Sequence, residues 1–282
     1  MNSSDSPSSG AGQSAQPHIR LNDGTTMPQL GLGVWRTPAD KTADIVRHAA
    51  DAGYLAVDTA AIYKNEEGVG DGLAGHPGIY VTTKLWNDDQ GYDTTLRAFE
   101  TSLHKLRREM LDLYLIHWPR AAEGKFVETW KAMVALQKDG RVKSIGVSNF
   151  PAEDLDCVIE ATGVVPAVNQ IELHPRFQQH ALRAFHEKHG IRTESWSPLG
   201  QGQVLEDPVI AKIGRRYGKT PAQVVIRWHL DSGLIVIPKS VTPRRIDENI
   251  AVFDFALNAE DMQRIAGLDR ADGRIGPDPA TF

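Results

Sequence analysis

The sequence predicts an α/β fold, a single (β/α)8 TIM barrel, from three observations. Short apolar runs recur along the chain, and each is followed by a stretch of roughly ten to fifteen residues with helical spacing. Both kinds of segment number eight, the count at which right-handed crossovers close well into a barrel. No linker or repeat interrupts residues 18–282, so one domain is expected there.

Taken in order, residues 1–17 are rich in Ser, Gly, Pro and Gln and read as a disordered N-terminal tail. They lack the basic start and apolar centre of a secretory signal. His18–Leu21 and Thr26-Met27 flank Asn22-Asp23-Gly24, a hairpin turn expected to cap the bottom of the barrel. The strand runs are 31–35, 55–58, 79–84, 111–117, 144–148, 168–172, 192–197 and 234–238. The helical stretches are 42–51, 66–73, 94–106, 126–138, 152–161, 179–189, 221–231 and 244–250. Leu96, Phe99, Leu103 and Leu106 illustrate the helical period. Pro151 and Pro221 suit first-turn positions, where no backbone donor is needed, and Gly140 and Gly190 suit helix ends. An extra C-terminal helix is expected over 258–268, before a Gly/Pro-containing tail to Phe282.

The bulk numbers narrow the function classes. With 41% hydrophobic and 24% charged residues, the 282-residue chain is ordinary for a soluble globular protein. A net charge of -5 argues against a general nucleic-acid binder, which needs a basic face. The single cysteine, Cys157, can form no internal disulfide, so a reducing, cytoplasmic setting is expected. No apolar run is long enough for a membrane span. A closed barrel has no sheet edge that demands a partner, so a monomer is expected.

The chemistry is expected at the C-terminal ends of the strands. Those ends present Trp35, Asp58, Lys84 with Trp86, His117 with Trp118, Ser148-Asn149, Gln170, Trp196-Ser197 and Lys239-Ser240. Tyr63 follows Asp58 just before a helix. Each is unremarkable alone: Asp58 as a helix cap, Lys84 as a strand-end lysine, His117 as a satisfied core histidine. Together on one rim they suit proton transfer to a carbonyl oxygen. A free phenol titrates near ~10, and a neighbouring Lys84, held charged by Asp58, is expected to lower that value for Tyr63. His117 is placed to hydrogen-bond a substrate oxygen, and Trp35, Trp86 and Trp118 to wall a small-molecule pocket. No metal-ligand spacing, Gly-x-Ser-x-Gly or P-loop is present.

Two anion motifs compete. Gly70-Asp71-Gly72-Leu73-Ala74-Gly75 matches G-x-G-x-x-G but follows no strand directly, so its expected effect is a weak helix that loosens the segment after Tyr63. The stronger corner is Ile237–Asn249, where Lys239, Arg244 and Arg245 gather at a helix start and suit a cofactor carrying an extra phosphate. A solvated basic turn is the plainer reading of those residues.

Four stretches together resemble the aldo-keto reductase superfamily over about residues 19–282. They are Val57-Asp58-Thr59-Ala60 through Tyr63-Lys64-Asn65-Glu66; Leu113–Pro119; Gly146-Val147-Ser148-Asn149-Phe150; and Ile237-Pro238-Lys239-Ser240 through Glu248-Asn249. The resemblance implies NADPH-dependent reduction of aldehydes, ketones or dicarbonyls, keto-sugars included. Tyr63 would be the general acid, supported by Asp58, Lys84 and His117, with hydride coming from the nicotinamide. It further implies that Ser148, Asn149 and Gln170 hold the carboxamide. Trp196, where many members have tyrosine, would stack on the ring. Ser197, Leu199 and Gln201 would lie toward the pyrophosphate, Lys239, Ser240, Val241 and Arg245 around the 2′-phosphate, and Glu248 and Asn249 near the adenine. Trp35, Trp86, His117 and Trp118 would face the substrate. Lys84–Asp88, Trp196–Gly200 and the short tail look most like bacterial 2,5-diketo-D-gluconate reductases. The alternative is a barrel that binds NADPH as a sensor with little turnover.

Overall fold

The computed structural model describes residues 16–282; of the expected tail only Gln16 and Pro17 fall within it, and residues 1–15 lie outside the described residues. The chain opens on the hairpin, β1 (His18–Arg20) and β2 (Thr26–Pro28), paired antiparallel with Ile19 opposite Met27. Gly24 at φ 88° supplies the left-handed turn position. Leu21 and Met27 reach into the barrel and bury against Ala56, Tyr80, Leu113, Leu115, Val168 and Ile235. The hairpin therefore plugs the lower mouth, as expected.

The wall is an eight-stranded sheet whose neighbours follow chain order. Its strands are β3 (Leu32–Gly33), β4 (Ala56–Asp58), β5 (Tyr80–Leu85), β6 (Leu111–Ile116), β7 (Val142–Ser148), β8 (Val168–Glu172), β9 (Arg192–Trp196) and β10 (Ile235–Val236). Every adjacent pair is parallel, and parallel bridges Leu30–Val236 and Gly33–Lys239 join the first wall strand to the last. The outward face is apolar where the helices cover it, while the inward face carries apolar residues toward the hairpin and polar ones, among them Asp58, Lys84, Gln170 and Glu194, toward the other end.

β3 and β10 are shorter than the expected runs 31–35 and 234–238. Pro238 has no N–H to continue a ladder. The seam instead closes through Gly31 N to Val236 O at 2.9 Å and Gly33 N to Pro238 O at 3.2 Å. A Cβ on Gly33 would sit 2.8 Å from Ile237 O, so only glycine lets the two strands approach here.

Among the described residues ten helices surround the wall: α1 (Ala39–Asp51), α2 (Glu66–Gly72), α3 (Tyr92–Leu106), α4 (Phe126–Lys138), α5 (Ala152–Thr162), α6 (His180–His189), α7 (Pro208–Tyr217), α8 (Pro221–Asp231), α9 (Pro243–Ile250) and α10 (Ala259–Ala266). The expected strict alternation fails once, because α7 and α8 both follow β9. α7 starts with an Asp207 side chain that accepts from Val209 N at 2.9 Å and a proline in its first turn. It buries Ile210 and Ile213 and is tied to α10, where Asp261 accepts from Arg216 and Tyr217. α10 matches the expected extra helix.

The glycines of α2 act opposite to expectation. A Cβ on Gly70 would lie 2.8 Å from Lys105 O, and one on Gly72 2.7 Å from Ala43 O. Their absent side chains let α2 press onto α1 and α3, so the segment after Tyr63 is packed tightly rather than loosened.

Candidate active site

The C-terminal ends of the strands converge on one rim, and the deepest group there is Lys84. Its Nζ donates to Asp58 Oδ1 at 2.6 Å and to Thr59 O at 2.8 Å, and its side chain has no exposed surface. β4 places Asp58 opposite Thr82, so Lys84 lies two positions further along β5, on the same inward face. Asp58 Oδ2 accepts from Gln170 Nε2 at 2.8 Å. Burial pulls Lys84 down, but the charge of Asp58, with Tyr63 and Glu194 beyond it, outweighs that and leaves the ammonium above its ordinary value. The pair is an ion pair in the barrel interior.

Tyr63 sits above it on the turn after β4. The chain turns back at Lys64, with a left-handed φ of 56°. Asn65 locks the turn: its amide donates to Val34 O at 2.9 Å, and its oxygen accepts from Thr59 Oγ1 at 2.8 Å. Lys84 Nζ lies 5.2 Å from the Tyr63 ring centre. The ammonium was expected to lower the phenol's proton affinity. It does oppose the shift, but burial is larger and the Asp58 charge adds to it, so Tyr63 stands above its ordinary value. The phenol is therefore protonated throughout the neutral range.

His117, at the end of β6, meets Tyr63 edge to face at 5.7 Å and Trp86 at 5.3 Å, and stacks beside Trp118 at 6.4 Å. Burial, then the Lys84 charge, holds its imidazole well below the usual value, so it is neutral near pH 7. Asp58, Tyr63, Lys84 and His117 are thus brought together as the sequence suggested.

The rim continues along β7, β8 and β9. Ser148 Oγ donates to Gln170 O at 2.8 Å. Asn149, at φ 63°, donates from Nδ2 to His117 O and to Ser148 Oγ, both at 3.0 Å, and accepts from Trp196 Nε1 at 2.8 Å. Ser197, in a left-handed conformation, and Leu199 carry the chain over the rim into 3-10 turns spanning Gly200–Glu206, which are kinked at the left-handed Gln201 and at Gly202. The indole of Trp196 is part exposed, the placement a stacked planar ring needs.

The basic corner lies where β10 hands over to α9. Lys239, Val241, Arg244 and Arg245 are exposed there, and among the described residues Arg245 has no ion-pair partner. Arg36, from the turn after β3, joins them: burial and its charge pull the Lys239 ammonium below its ordinary value. Ser240 is buried, its Oγ accepting from Thr242 N at 3.1 Å, and Asn249 is buried within α9, while Glu248 faces outward. Like charges drawn together around a helix start are a donor set that fits a phosphate.

Trp35 does not join the Trp86, His117 and Trp118 cluster by any ring contact; it is 38% exposed, with the Arg36 guanidinium 4.2 Å above it. In its place the chain's last residue enters: the Phe282 ring lies 4.3 Å from Trp118. Glu172, at the end of β8, ties this strap down, accepting from Ile275 N at 2.7 Å and Gly276 N at 2.8 Å. Sequence reasoning missed Arg36, Glu172, Glu194 and Phe282. None of them left a clear signal; Glu194 lies in a strand of mixed polarity, Arg192–Trp196, that does not mark its acid as inward-facing.

Comparison with known proteins agrees with this geometry. The aldo/keto reductase family profile matches residues 24–270. An aldo-keto reductase of Mycolicibacterium smegmatis is 57% identical over 270 residues, covering 94% of this chain and 98% of the relative. Methylglyoxal reductase DkgA of Escherichia coli K12 is 52% identical over 270 residues, covering 94% and 97%. The crystal structure of a Gox0644 variant in complex with NADPH superposes with a TM-score of 0.94 at 65% identity, covering 95% of this chain and 99% of that one. The chain belongs to the aldo/keto reductase family.

Proposed function

We propose that this chain reduces small aldehydes, ketones or dicarbonyls to alcohols with NADPH, Tyr63 giving the proton to the oxygen. The observation that carries the reading is the buried Asp58–Lys84 ion pair at 2.6 Å beneath Tyr63, with the neutral His117 ring beside it. A charged ammonium below a phenol stabilises the phenolate left after proton transfer, in a site with little water to do so. His117, neutral, is suited to hydrogen-bond the carbonyl oxygen and aim it at the Tyr63 hydroxyl. Trp86, Trp118 and Phe282 supply an apolar wall beside His117, which suits small substrates such as dicarbonyls.

The donor set suits the cofactor. The partly exposed Trp196 offers a stacking face, and Lys239 with Arg245, joined by Arg36, offers cations for a ribose phosphate. Ser148, Asn149 and Gln170 are already bonded to one another and to neighbours, so a carboxamide there exchanges one of these bonds rather than filling a void. Ser197, Leu199 and Gln201 lie toward the pyrophosphate, and Val241, Glu248 and Asn249 flank the adenosine side. When bound, NADPH supplies hydride to the carbonyl carbon. The Gox0644 structure with NADPH and the DkgA relatives, named as methylglyoxal reductases, support this choice of cofactor and substrate class. We further read the folded unit as residues 18–282 acting as a monomer. Among the described residues no helix is long and apolar enough to cross a membrane. The test is loss of NADPH absorbance on adding methylglyoxal, other dicarbonyls, keto-sugars and aromatic aldehydes. Turnover of at least one supports the reading; tight NADPH binding with no turnover across the panel favours a sensor instead.

A further inference from the structure

The barrel interior holds a carboxyl that the mechanism above does not use. Glu194 lies on β9, fully buried, in register with Gln170 on β8 and Ile235 on β10. Its Oε2 accepts from Gln170 Nε2 at 2.8 Å, while its Oε1 has no partner. The same Gln170 nitrogen donates to Asp58 Oδ2, so one amide holds two carboxyls. The ammonium of Lys84 is committed to Asp58 Oδ1 and Thr59 O. Two carboxylates against one ammonium would leave an uncompensated charge out of reach of water, which is strongly unfavourable. One proton shared between them removes it. Asp58 has the ammonium, so the proton belongs on Glu194, where an unpartnered oxygen is tolerable only on a neutral acid.

We propose that Glu194 is a positioning residue for the proton chemistry of Tyr63. In its neutral form it fixes the Gln170 amide and leaves Asp58 to Lys84; ionised, it opposes a phenolate at Tyr63. This rests on the reductase reading above. The groups that face it are Asp58 on β4, Tyr63 on the turn after β4, Tyr80 and Lys84 on β5, and the uncharged Gln170 on β8, while Ile235 on β10 is apolar. Burial, with the charge of Asp58, pushes Glu194 up to about 8. Above that pH its charge bears on Tyr63.

Alcohol oxidation, the reverse reaction, needs Tyr63 without its proton, so its rate climbs with pH around the Tyr63 midpoint. In the wild type that midpoint lies in the range where Glu194 is ionised and is displaced upward. With NADP+ and the alcohol product of any carbonyl the enzyme accepts, Glu194→Gln is expected to lower the midpoint of the kcat profile by about one pH unit. Glu194→Leu, which removes the acceptor as well as the charge, is expected to show the same lowered midpoint with a reduced kcat. A second readout needs no turnover: infrared difference spectra of the cofactor-free protein should show a buried protonated-carboxyl band in the wild type that fades through about pH 8. The band should be missing from Glu194→Gln. An unmoved midpoint in Glu194→Gln, or no such band in the wild type, overturns the inference. A wild type with the band but no carbonyl turnover overturns the reductase reading, and the role at Tyr63 with it. Failure of the Glu194 inference alone is distinguished by normal turnover with an unmoved midpoint.

Discussion

Gln170 Nε2 lies 2.8 Å from Asp58 Oδ2, a bond across the inside of the barrel between residues 112 positions apart. β4 and β8 are not neighbours in the sheet, so only inward-facing side chains can make it. The bond fixes the carboxylate that fixes Lys84, and through Lys84 the environment of the Tyr63 phenol. The site is held from the barrel's centre outward.

Breaking that centre is expected to affect both stability and turnover. Lys84→Met leaves Asp58 buried with no cation. Removing one partner of a buried pair costs about 3–5 kcal/mol, less whatever Asp58 recovers by taking up a proton. Urea denaturation at neutral pH should therefore show a loss of a few kcal/mol, with kcat lowered by at least about a hundredfold. Since Lys84 stands above its ordinary value, its stabilising contribution is fully present below about pH 10 and is lost only at higher pH. Wild-type stability should show no fall from the Lys84 ammonium between pH 6 and 9.

Glu194 loses its contribution in the same direction, with rising pH, but over a lower window. Its carboxyl is raised to about 8 from 4.5, so the unfolded chain gives up the proton first as pH rises. Folding stability from this group is fully present below about pH 4.5 and is lost as pH rises to about 8, a change on the order of a few kcal/mol. Glu194→Gln should flatten that slope, and denaturation midpoints at pH 5 and pH 8 check it. An equally steep slope in the variant would place the titration elsewhere.

Gly72→Ala is expected to destabilise despite improving helix propensity. The gain is about 1 kcal/mol, against about 1–3 kcal/mol for forcing a Cβ to within 2.7 Å of Ala43 O and 2.8 Å of Val46 Cβ. A net loss of about 1 kcal/mol in thermal or urea unfolding is the expected outcome.

The C-terminal strap should detach when Glu172 is lost. Glu172→Ala removes the acceptor of Ile275 N and Gly276 N and releases the backbone that lies against the Trp196 ring. Faster amide exchange over residues 273–282 is expected, together with a raised KM for the carbonyl as Phe282 leaves Trp118. Unchanged exchange there would mean that other contacts hold the strap.

The fold and three of the four central residues were legible because each of Asp58, Lys84 and His117 stands where an apolar run stops, and Tyr63 follows Asp58 on the next turn. A residue at the end of a barrel strand is on the rim whatever its neighbours are. What the sequence hid depends on distance in the chain. Glu194 sits in Arg192-Thr193-Glu194-Ser195-Trp196, a strand whose polarity conceals that its acid points inward. Glu172 acts on backbone N–H groups, which no sequence pattern reveals. α7 was missed because a second helix between two barrel strands breaks the alternation used to find the others. The direction of the Tyr63 shift was misjudged because the ammonium is visible in the sequence and the depth of burial is not.

The central claim is that Tyr63 gives the proton. Tyr63→Phe keeps the ring against His117 and removes only the hydroxyl. Its turnover of the best carbonyl substrate should be measured beside NADPH binding by tryptophan fluorescence. A fall in kcat by about a thousandfold or more with NADPH affinity unchanged is the predicted result. Near-normal turnover in Tyr63→Phe would contradict the assignment and move the proton donor to another group on the rim.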